Sequence, residues 1–327
     1  MPSLADRHGR SFPYLRLSLL EACNFRCGYC LPDGHRPLPG KPADLRLDEI
    51  GRLLRAFARL GMRKLRLTGG EPSLRRDLPE VIALAAAVPG IAKVAMTTNG
   101  ELLARRIDAW RAAGLSHLNV SVDALDRARF AAITGRDRLP QVLDGVERAL
   151  AAGLRAVKLN AVLLRGLNDD QLPAFIDFVR ERPLDVRFIE LMRTGDNGDH
   201  FARHHVRATV LEAQLRERGW LPQPRAFDAG PSVDWGHPDY QGRIGIIAPY
   251  APDFCAGCNR LRVTASGDLR LCLFGETGIP LRPLLQSDHQ AAELQATLVA
   301  QLGLKAASHA LHEGRTGLVP HLASIGG

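Results

Sequence analysis

Cys23-Asn24-Phe25-Arg26-Cys27-Gly28-Tyr29-Cys30 places three thiols at x3 and x2 spacing in one short loop. The segment before it, Tyr14-Leu15-Arg16-Leu17-Ser18-Leu19, alternates apolar and polar residues as a strand does. Thiolates gathered in this way bind zinc or an iron–sulfur cluster. Three thiolates leave one corner of the metal site without a protein sulfur, and on a cubane [4Fe–4S] cluster that corner can hold a small molecule. A three-cysteine zinc site completed by a histidine, or buried thiols that bind nothing, remain open on spacing alone.

The other three cysteines form a second group. Phe254-Cys255-Ala256-Gly257-Cys258-Asn259-Arg260-Leu261-Arg262 is followed, after thirteen residues, by Cys272, so the six cysteines divide into two triads with none left over. Two triads favour two metal sites. A zinc ribbon would need a fourth ligand, which His237 could supply. Arg260 and Arg262 alternate on the strand that leaves this triad and share one face, beside any ligand on an open iron.

The chain has 327 residues, 46% apolar and 24% charged, enough for one large domain or two. The first ten residues lack the apolar core of a signal peptide. The longest apolar stretch, near 81–96, is interrupted by Pro89, Gly90 and Lys93 and is too short to span a bilayer. The expectation is a cytoplasmic protein without membrane contact, where clustered cysteines indicate metal rather than disulfides. Net charge is +8, with arginine in excess of lysine. Arginine's planar fork suits phosphate, although a basic solvated surface or a nucleic-acid partner also fits charge alone.

In chain order the pattern is strand then helix. Strands are predicted near 13–19, 64–67, 93–97, 117–122, 157–164 and 185–189. Leu47, Ile50, Leu53, Leu54, Phe57 and Leu60 recur at helical spacing before Gly61, and Val142, Leu143, Val146 and Leu150 do so between Pro140 and Gly153. Six βα units predict an α/β fold, a parallel sheet with helices outside, either open or rolled into part of a barrel. Sites in βα barrels lie at the carboxyl ends of the strands. Beyond 192 the rhythm breaks. Residues 193–206 read as a connection, 211–218 as a helix, 221–256 as Pro-, Gly- and Asp-rich chain, 260–263 and 268–273 as a hairpin, and 291–301 as a helix.

Polar residues cluster at the predicted strand ends. Leu67-Thr68-Gly69-Gly70-Glu71-Pro72 pairs two glycines, which let a backbone approach a ligand, with Glu71, which can accept from an ammonium. Thr97-Thr98-Asn99-Gly100 and Asn119-Val120-Ser121-Val122-Asp123 end the next two strands. Arg16, Arg66, Lys158 and Arg187 lie in four separate strands. If their faces look into a barrel, four cations converge and need an anion, a polyphosphate or a carboxylate.

The cysteine loop with Gly-Gly-Glu-Pro resembles the radical S-adenosylmethionine (SAM) enzymes. Over nearly the whole chain the sequence resembles one family among them, the GTP 3',8-cyclases of molybdenum-cofactor biosynthesis. The resemblance runs through Arg16, Cys-Asn-Phe-Arg-Cys-x-Tyr-Cys-Leu-Pro, Gly-Gly-Glu-Pro, Thr-Thr-Asn-Gly, Ser121-Val122-Asp123, Lys158 and Arg187-Phe188-Ile189-Glu190-Leu191-Met192. It continues into Cys-x2-Cys-x13-Cys with Asn-Arg-x-Arg, and the terminal Gly-Gly.

The resemblance implies an incomplete (β/α)6 TIM-like barrel over residues 1–192 and a second-cluster domain over 193–327. It implies two [4Fe–4S] clusters, on Cys23, Cys27, Cys30 and on Cys255, Cys258, Cys272. SAM would meet Tyr29, Gly70, Glu71, Asn99, Ser121 and Met192. GTP would meet Arg16, Arg66, Thr97, Lys158, Arg260, Leu261 and Arg262. Catalytic roles fall to Arg187, Gly326 and Gly327, the two glycines forming a thin tail expected to insert near Arg187 or its neighbours. Implied partners are GTP, SAM, an electron donor such as flavodoxin or ferredoxin, a downstream cyclic pyranopterin monophosphate synthase and a second copy of the chain, with no nucleic acid. Two positions depart from the family pattern: Leu322 stands where methionine is common, and Arg193 where proline is common. Two other readings are a peptide-modifying radical SAM enzyme with an auxiliary cluster, and a non-catalytic metal- or RNA-binding protein.

Overall fold

The computed structural model of the chain describes residues 3–36, 40, 42–226 and 229–326. Its first part alternates strand and helix: β1 (Tyr14–Ser18), α1 (Leu47–Arg59), β2 (Lys64–Thr68), α2 (Leu78–Ala87), β3 (Lys93–Thr98), α3 (Leu103–Ala112) and β4 (His117–Ser121). Then come α4 (Arg127–Thr134), α5 (Leu139–Ala151), β5 (Ala156–Leu163), α6 (Leu172–Phe178) and β6 (Asp185–Glu190). Strands β1 to β6 lie side by side, all parallel. The six expected strands are present, as are the helices expected from the periodicity of Leu47–Leu60 and Val142–Leu150. Gly61 and Gly153 adopt positive φ (99° and 71°) just beyond α1 and α5, where a helix stop needs it.

The cause of the arrangement is alternation. On β1, Leu15 and Leu17 are fully buried with Ile50, Leu53, Leu54 and Phe57 of α1, so Tyr14, Arg16 and Ser18 face the other way. On β5, Val157, Leu159, Ala161 and Leu163 are buried, while Lys158, Asn160 and Val162 are only partly so. The inner face of the sheet is therefore polar, the outer face apolar.

The last third of the chain holds α7 (Gly198–His204), α8 (Val210–Glu217), β7 (Leu221–Pro222), β8 (Val233–Gly236), β9 (Arg243–Ile247), β10 (Arg260–Val263), β11 (Asp268–Arg270), β12 (Ile279–Pro280) and α9 (Ala291–Leu302). Two of its strands extend the parallel arc. β10 pairs parallel with β1 at one side, and β9 pairs parallel with β6 at the other. The full order is β12-β11-β10-β1-β2-β3-β4-β5-β6-β9-β8-β7, and the barrel stays open between its edges. The stretch 221–256, read from sequence as loop-rich, contains β9, a short apolar strand concealed by its Pro- and Gly-rich flanks. The connection 193–206 contains α7, which buries none of its residues and so carries no apolar period to reveal it.

Glu49 ties α1 to the C-terminal segment. Its wholly buried carboxylate accepts from the Arg46 backbone N–H, Arg282 Nε and Gln286 Nε2 at 2.8, 3.0 and 2.9 Å. A buried charge needs partners of this kind. No helix among the described residues is long and apolar enough to cross a membrane.

Candidate active site between two thiol triads

Cys23, Cys27 and Cys30 line one cavity at the carboxyl ends of the strands, together with Tyr29, Gly70, Glu71, Thr97, Asn99, Ser121 and Met192. The loop is held there by backbone pairing: Gly70 N–H donates to Leu20 O at 2.9 Å and Glu71 N–H to Ala22 O at 2.8 Å. A Cβ on Gly70 would lie 2.3 Å from the carbonyl oxygens of Glu21 and Ala22, and one on Gly69 2.2 Å from Leu20 O. The paired glycines thus make room first for the chain's own backbone leading into the cysteine loop. Glu71 is fully buried and accepts from Thr98 Oγ1 (2.7 Å), Asn99 N–H (2.6 Å) and Ser73 N–H (3.0 Å). Burial pushes its carboxyl above the usual range. Asn99 in turn donates to Asn24 Oδ1 at 2.7 Å. This web fixes the end of β3 against the cysteine loop.

Tyr29 donates to Asp123 Oδ2 at 3.0 Å, and Asp123 Oδ1 accepts from Val162 N–H at 2.8 Å. Asn197, which no sequence motif marks, joins the cysteine loop to the end of β6 by donating to Tyr29 O (3.3 Å) and Met192 O (3.0 Å). Arg193 donates its backbone N–H to Tyr250 Oη at 3.1 Å, a bond that proline could not make.

Cys255, Cys258 and Cys272 line a second cavity with Arg16, Arg66, Arg187, Arg260, Arg262, Lys305 and His309. Arg10 clamps the loop from outside, donating to Cys255 O, Ala306 O and Ala307 O at 3.1, 2.6 and 2.7 Å. The two triads sit in opposite fields. Burial raises the Cys23 thiol to about 11 and the Cys30 thiol to about 12, and raises Cys27 well above its ordinary value. At the second triad burial also works upward, but hydrogen bonding to His309 brings Cys255 down to about 7, and Lys305 and Arg260 lower Cys258.

The second cavity is strongly cationic. Register places Arg262 opposite Arg16 and Arg16 opposite Arg66, across β10, β1 and β2. Like charges placed so are mutually destabilising. Arg66 donates to Tyr14 Oη (2.6 Å), Met96 O (3.0 Å) and Thr97 Oγ1 (3.0 Å), and meets no carboxylate among the described residues. Burial works to raise the Tyr14 phenol, but Arg66, Arg16 and Lys64 outweigh it and hold it at about 6. Burial, with Arg16 and Arg260 beside it, lowers Arg262 to about 9. Among the described residues the buried Nε atoms of Arg187, Arg260 and Arg262 have no hydrogen-bond partner. An anion with several acceptor oxygens answers all of these features.

Three expected site residues stand apart from this cavity. Lys158 lines the adjoining basic opening and pairs with Asp185. Thr97 lines the first cavity, though it also accepts from Arg66. Leu261 points into the hydrophobic core, opposite to Arg260 and Arg262, so only its backbone is available to a ligand. Arg187 faces the second cavity but is paired with Asp234 at 3.1 Å.

The C-terminal tail does enter the site. Gly326 O accepts from Arg16 Nε and Nη2 at 3.1 and 2.7 Å, and Gly326 packs on Thr68. Among the described residues Gly326 thus meets β1 and β2, and Arg16 lines the same cavity as Arg187. Gly327 lies outside the described residues. On its way the tail pairs with the 195–196 backbone, and the N–H groups of Ala323 and Leu322 reach the Cys30 sulfur. Leu322 and Ile325 belong to a small apolar cluster that touches Cys30, Met192 and Cys272 and so spans both triads.

The donor chemistry suits iron–sulfur clusters at both triads. Each offers three free thiols facing a cavity. Among the described residues no three Cys, His, Asp or Glu side chains are gathered to hold a single metal ion. Three thiolates facing one cavity suit a polynuclear cluster, in which each binds a separate iron.

Both parts of the chain are similar to known proteins. The Radical SAM superfamily profile matches residues 17–179, and the Molybdenum Cofactor Synthesis C profile matches residues 184–311. A GTP 3',8-cyclase of Stenotrophomonas maltophilia (strain R551-3) is 66% identical over 327 residues, covering all of both chains. A GTP 3',8-cyclase of Aeromonas hydrophila is 54% identical over 331 residues, covering 100% of this chain and 97% of its own. Among solved structures, Streptococcus suis SuiB bound to S-adenosylmethionine aligns with a TM-score of 0.65 at 14% identity, over 90% of this chain and 68% of that one. The last likeness is one of fold.

Proposed function

The chain belongs to the GTP 3',8-cyclase family, and from that premise we propose which of its residues perform each part of the reaction. The activity is the radical SAM cyclisation of GTP to (8S)-3',8-cyclo-7,8-dihydroguanosine 5'-triphosphate, the first step of molybdenum-cofactor biosynthesis. It uses two [4Fe–4S] clusters and SAM. When bound, the clusters and SAM would supply the one-electron radical chemistry that acts at the ribose 3' position of GTP.

In this reading Cys23, Cys27 and Cys30 hold the SAM cluster, and Tyr29, Gly70, Ser121, Met192 and Asn99 line the SAM site. Glu71 serves it chiefly by fixing Asn99 and the end of β3, because its oxygens already have three donors. Cys255, Cys258 and Cys272 hold the auxiliary cluster beside the guanine. Arg16, Arg66, Arg260 and Arg262 hold GTP, with Thr97 orienting Arg66, the Leu261 backbone carried between the two arginines, and Lys158 and Arg187 at the basic end. Residues 1–192 form the radical SAM unit, and 193–327 form the second-cluster unit. Clamping the substrate between cations sets proximity and orientation, and the enclosing walls keep a radical from solvent. The reading extends to a cytoplasmic location and an electron donor such as flavodoxin or ferredoxin. It also extends to delivery of product toward cyclic pyranopterin monophosphate synthase, and to a homodimer.

The observation that carries the substrate assignment is the in-register row Arg262, Arg16, Arg66, in which neither Arg66 nor Arg262 has a carboxylate partner among the described residues. Arg66→Ala and Arg262→Ala should each weaken GTP binding roughly 10–150-fold, the worth of about 1.5–3 kcal/mol for a charge-assisted hydrogen bond. Lys158→Ala should cost less, since Asp185 already engages its ammonium. Equilibrium binding of GTP to cluster-loaded protein measures this. Unchanged affinity in both arginine variants would remove the phosphate assignment.

A further inference from the structure

The cavity of the first triad and the cavity of the second share three lining residues: Asn160, Ile189 and Met192. Asn160 alone among them offers hydrogen-bond donors. Its position follows from β5. Lys158, Asn160 and Val162 alternate up the inner face of that strand. Lys158 lines the basic opening and Val162 the first cavity, which leaves Asn160 at the junction. Register sets it between Ser121 on β4 and Arg187 on β6.

The carboxamide has a defined orientation. Asn160 Oδ1 accepts from Asn119 Nδ2 at 3.2 Å, which leaves the amide nitrogen as the group that Asn160 can offer to the two cavities it lines. Among the described residues that nitrogen has no partner. A half-buried pair of N–H donors, placed where two cavities meet, suits a neutral acceptor better than a phosphate.

Resting on the activity given above, the chemistry at the junction is constrained. The bond formed is between C3' and C8, so the ribose carbon that loses hydrogen must stand between the SAM cavity and the guanine-binding cavity. The atoms attached next to it are the 2' and 3' hydroxyl oxygens. We propose that Asn160 holds the ribose 2',3'-diol of GTP through its Nδ2 hydrogens, with Asn119 as the positioning residue that fixes the amide. Asn160 thereby selects ribonucleotide over deoxynucleotide and presents C3'–H to the radical. A site that hydrogen-bonds a hydroxyl rejects an analogue lacking it, because the site's own polar group is left unpaired.

The test uses cluster-loaded full-length protein with GTP and 2',3'-dideoxy-GTP, which keeps a C3' hydrogen but lacks both hydroxyls. The unsubstituted protein should bind GTP about 10-fold or more tightly over the analogue. Asn160→Leu keeps the volume but removes every hydrogen-bonding group, and it should bind the two nucleotides within about threefold of each other. Asn160→Ala should do the same. With GTP deuterated at C3', both variants should also cleave SAM with reduced deuterium transfer into 5'-deoxyadenosine relative to SAM consumed. Full discrimination with undiminished deuterium transfer in Asn160→Leu would overturn the proposal, even if Asn160→Ala failed to fold. Failure of the unsubstituted protein to bind or cyclise GTP would instead overturn the functional reading beneath it.

Discussion

Replacing Cys27 with alanine is expected to abolish SAM cleavage outright and to remove one of two clusters. Cys27 is the middle thiol of the first triad and is packed against the core. Its burial raises the thiol far above its ordinary range, so only bonding to a metal makes it a thiolate at neutral pH. The second triad lies in a different cavity, with its own cations, and should be untouched. Two cubane clusters imply about eight iron and eight sulfide per chain. Cys27→Ala should hold about half of each, and Cys272→Ala should also lose half but retain the first cluster's capacity to cleave SAM. Iron and acid-labile sulfide assays after anaerobic purification, with 5'-deoxyadenosine as the activity readout, measure this. Stoichiometric zinc without sulfide, or SAM cleavage by Cys27→Ala, would contradict the cluster assignment.

The second large effect is expected at Gly326. Its φ is +67°, and a Cβ there would lie 2.2 Å from Thr68 Cγ2 and 2.8 Å from Thr68 Oγ1. Thr68 is buried at the end of β2 and has little room to yield. Gly326→Ala must therefore lift the tail, and with it the carbonyl that engages Arg16. A displacement of this size beside a reacting pair can cost about 10²-fold in rate. Cyclisation should fall by at least about that factor, while both clusters and the fold persist, because only the last turn of chain moves. Deletion of the final two residues should have the same effect, and a peptide ending in Ser-Ile-Gly-Gly should restore part of the activity to the truncated protein. Full turnover by Gly326→Ala would make the tail an ordinary chain end.

Much of this site is legible in the sequence because its residues obey short-range rules. Leu15 and Leu17 flanking Arg16 announce both the strand and the face on which the arginine lies. The cysteine triads are visible as spacings, and Gly61 and Gly153 mark helix ends that only a positive φ explains. Other parts depend on partners far away in the chain. Nothing near Arg187 predicts Asp234, which reaches it from β8, and nothing in Gly69-Gly70 says that their first neighbour is the backbone of residues 20–22. β9 does not stand out from its surroundings because five residues between Gly242 and Ala248 give too short an apolar run. Leu261 shows the opposite error: a motif carried three residues together, while strand alternation sends the middle one into the core. Asn160 was readable in principle from the Lys158, Asn160, Val162 alternation, but its meaning depends on two cavities meeting at its side chain.

Incubation of the cluster-loaded protein with GTP, SAM and a low-potential reductant, under anaerobic conditions, is the most direct test of the central assignment. SAM cleavage should depend on GTP, one 5'-deoxyadenosine should form for each GTP consumed, and the nucleotide product should carry a C3'–C8 bond. SAM cleavage that proceeds at the same rate without GTP and leaves the nucleotide unaltered would contradict it.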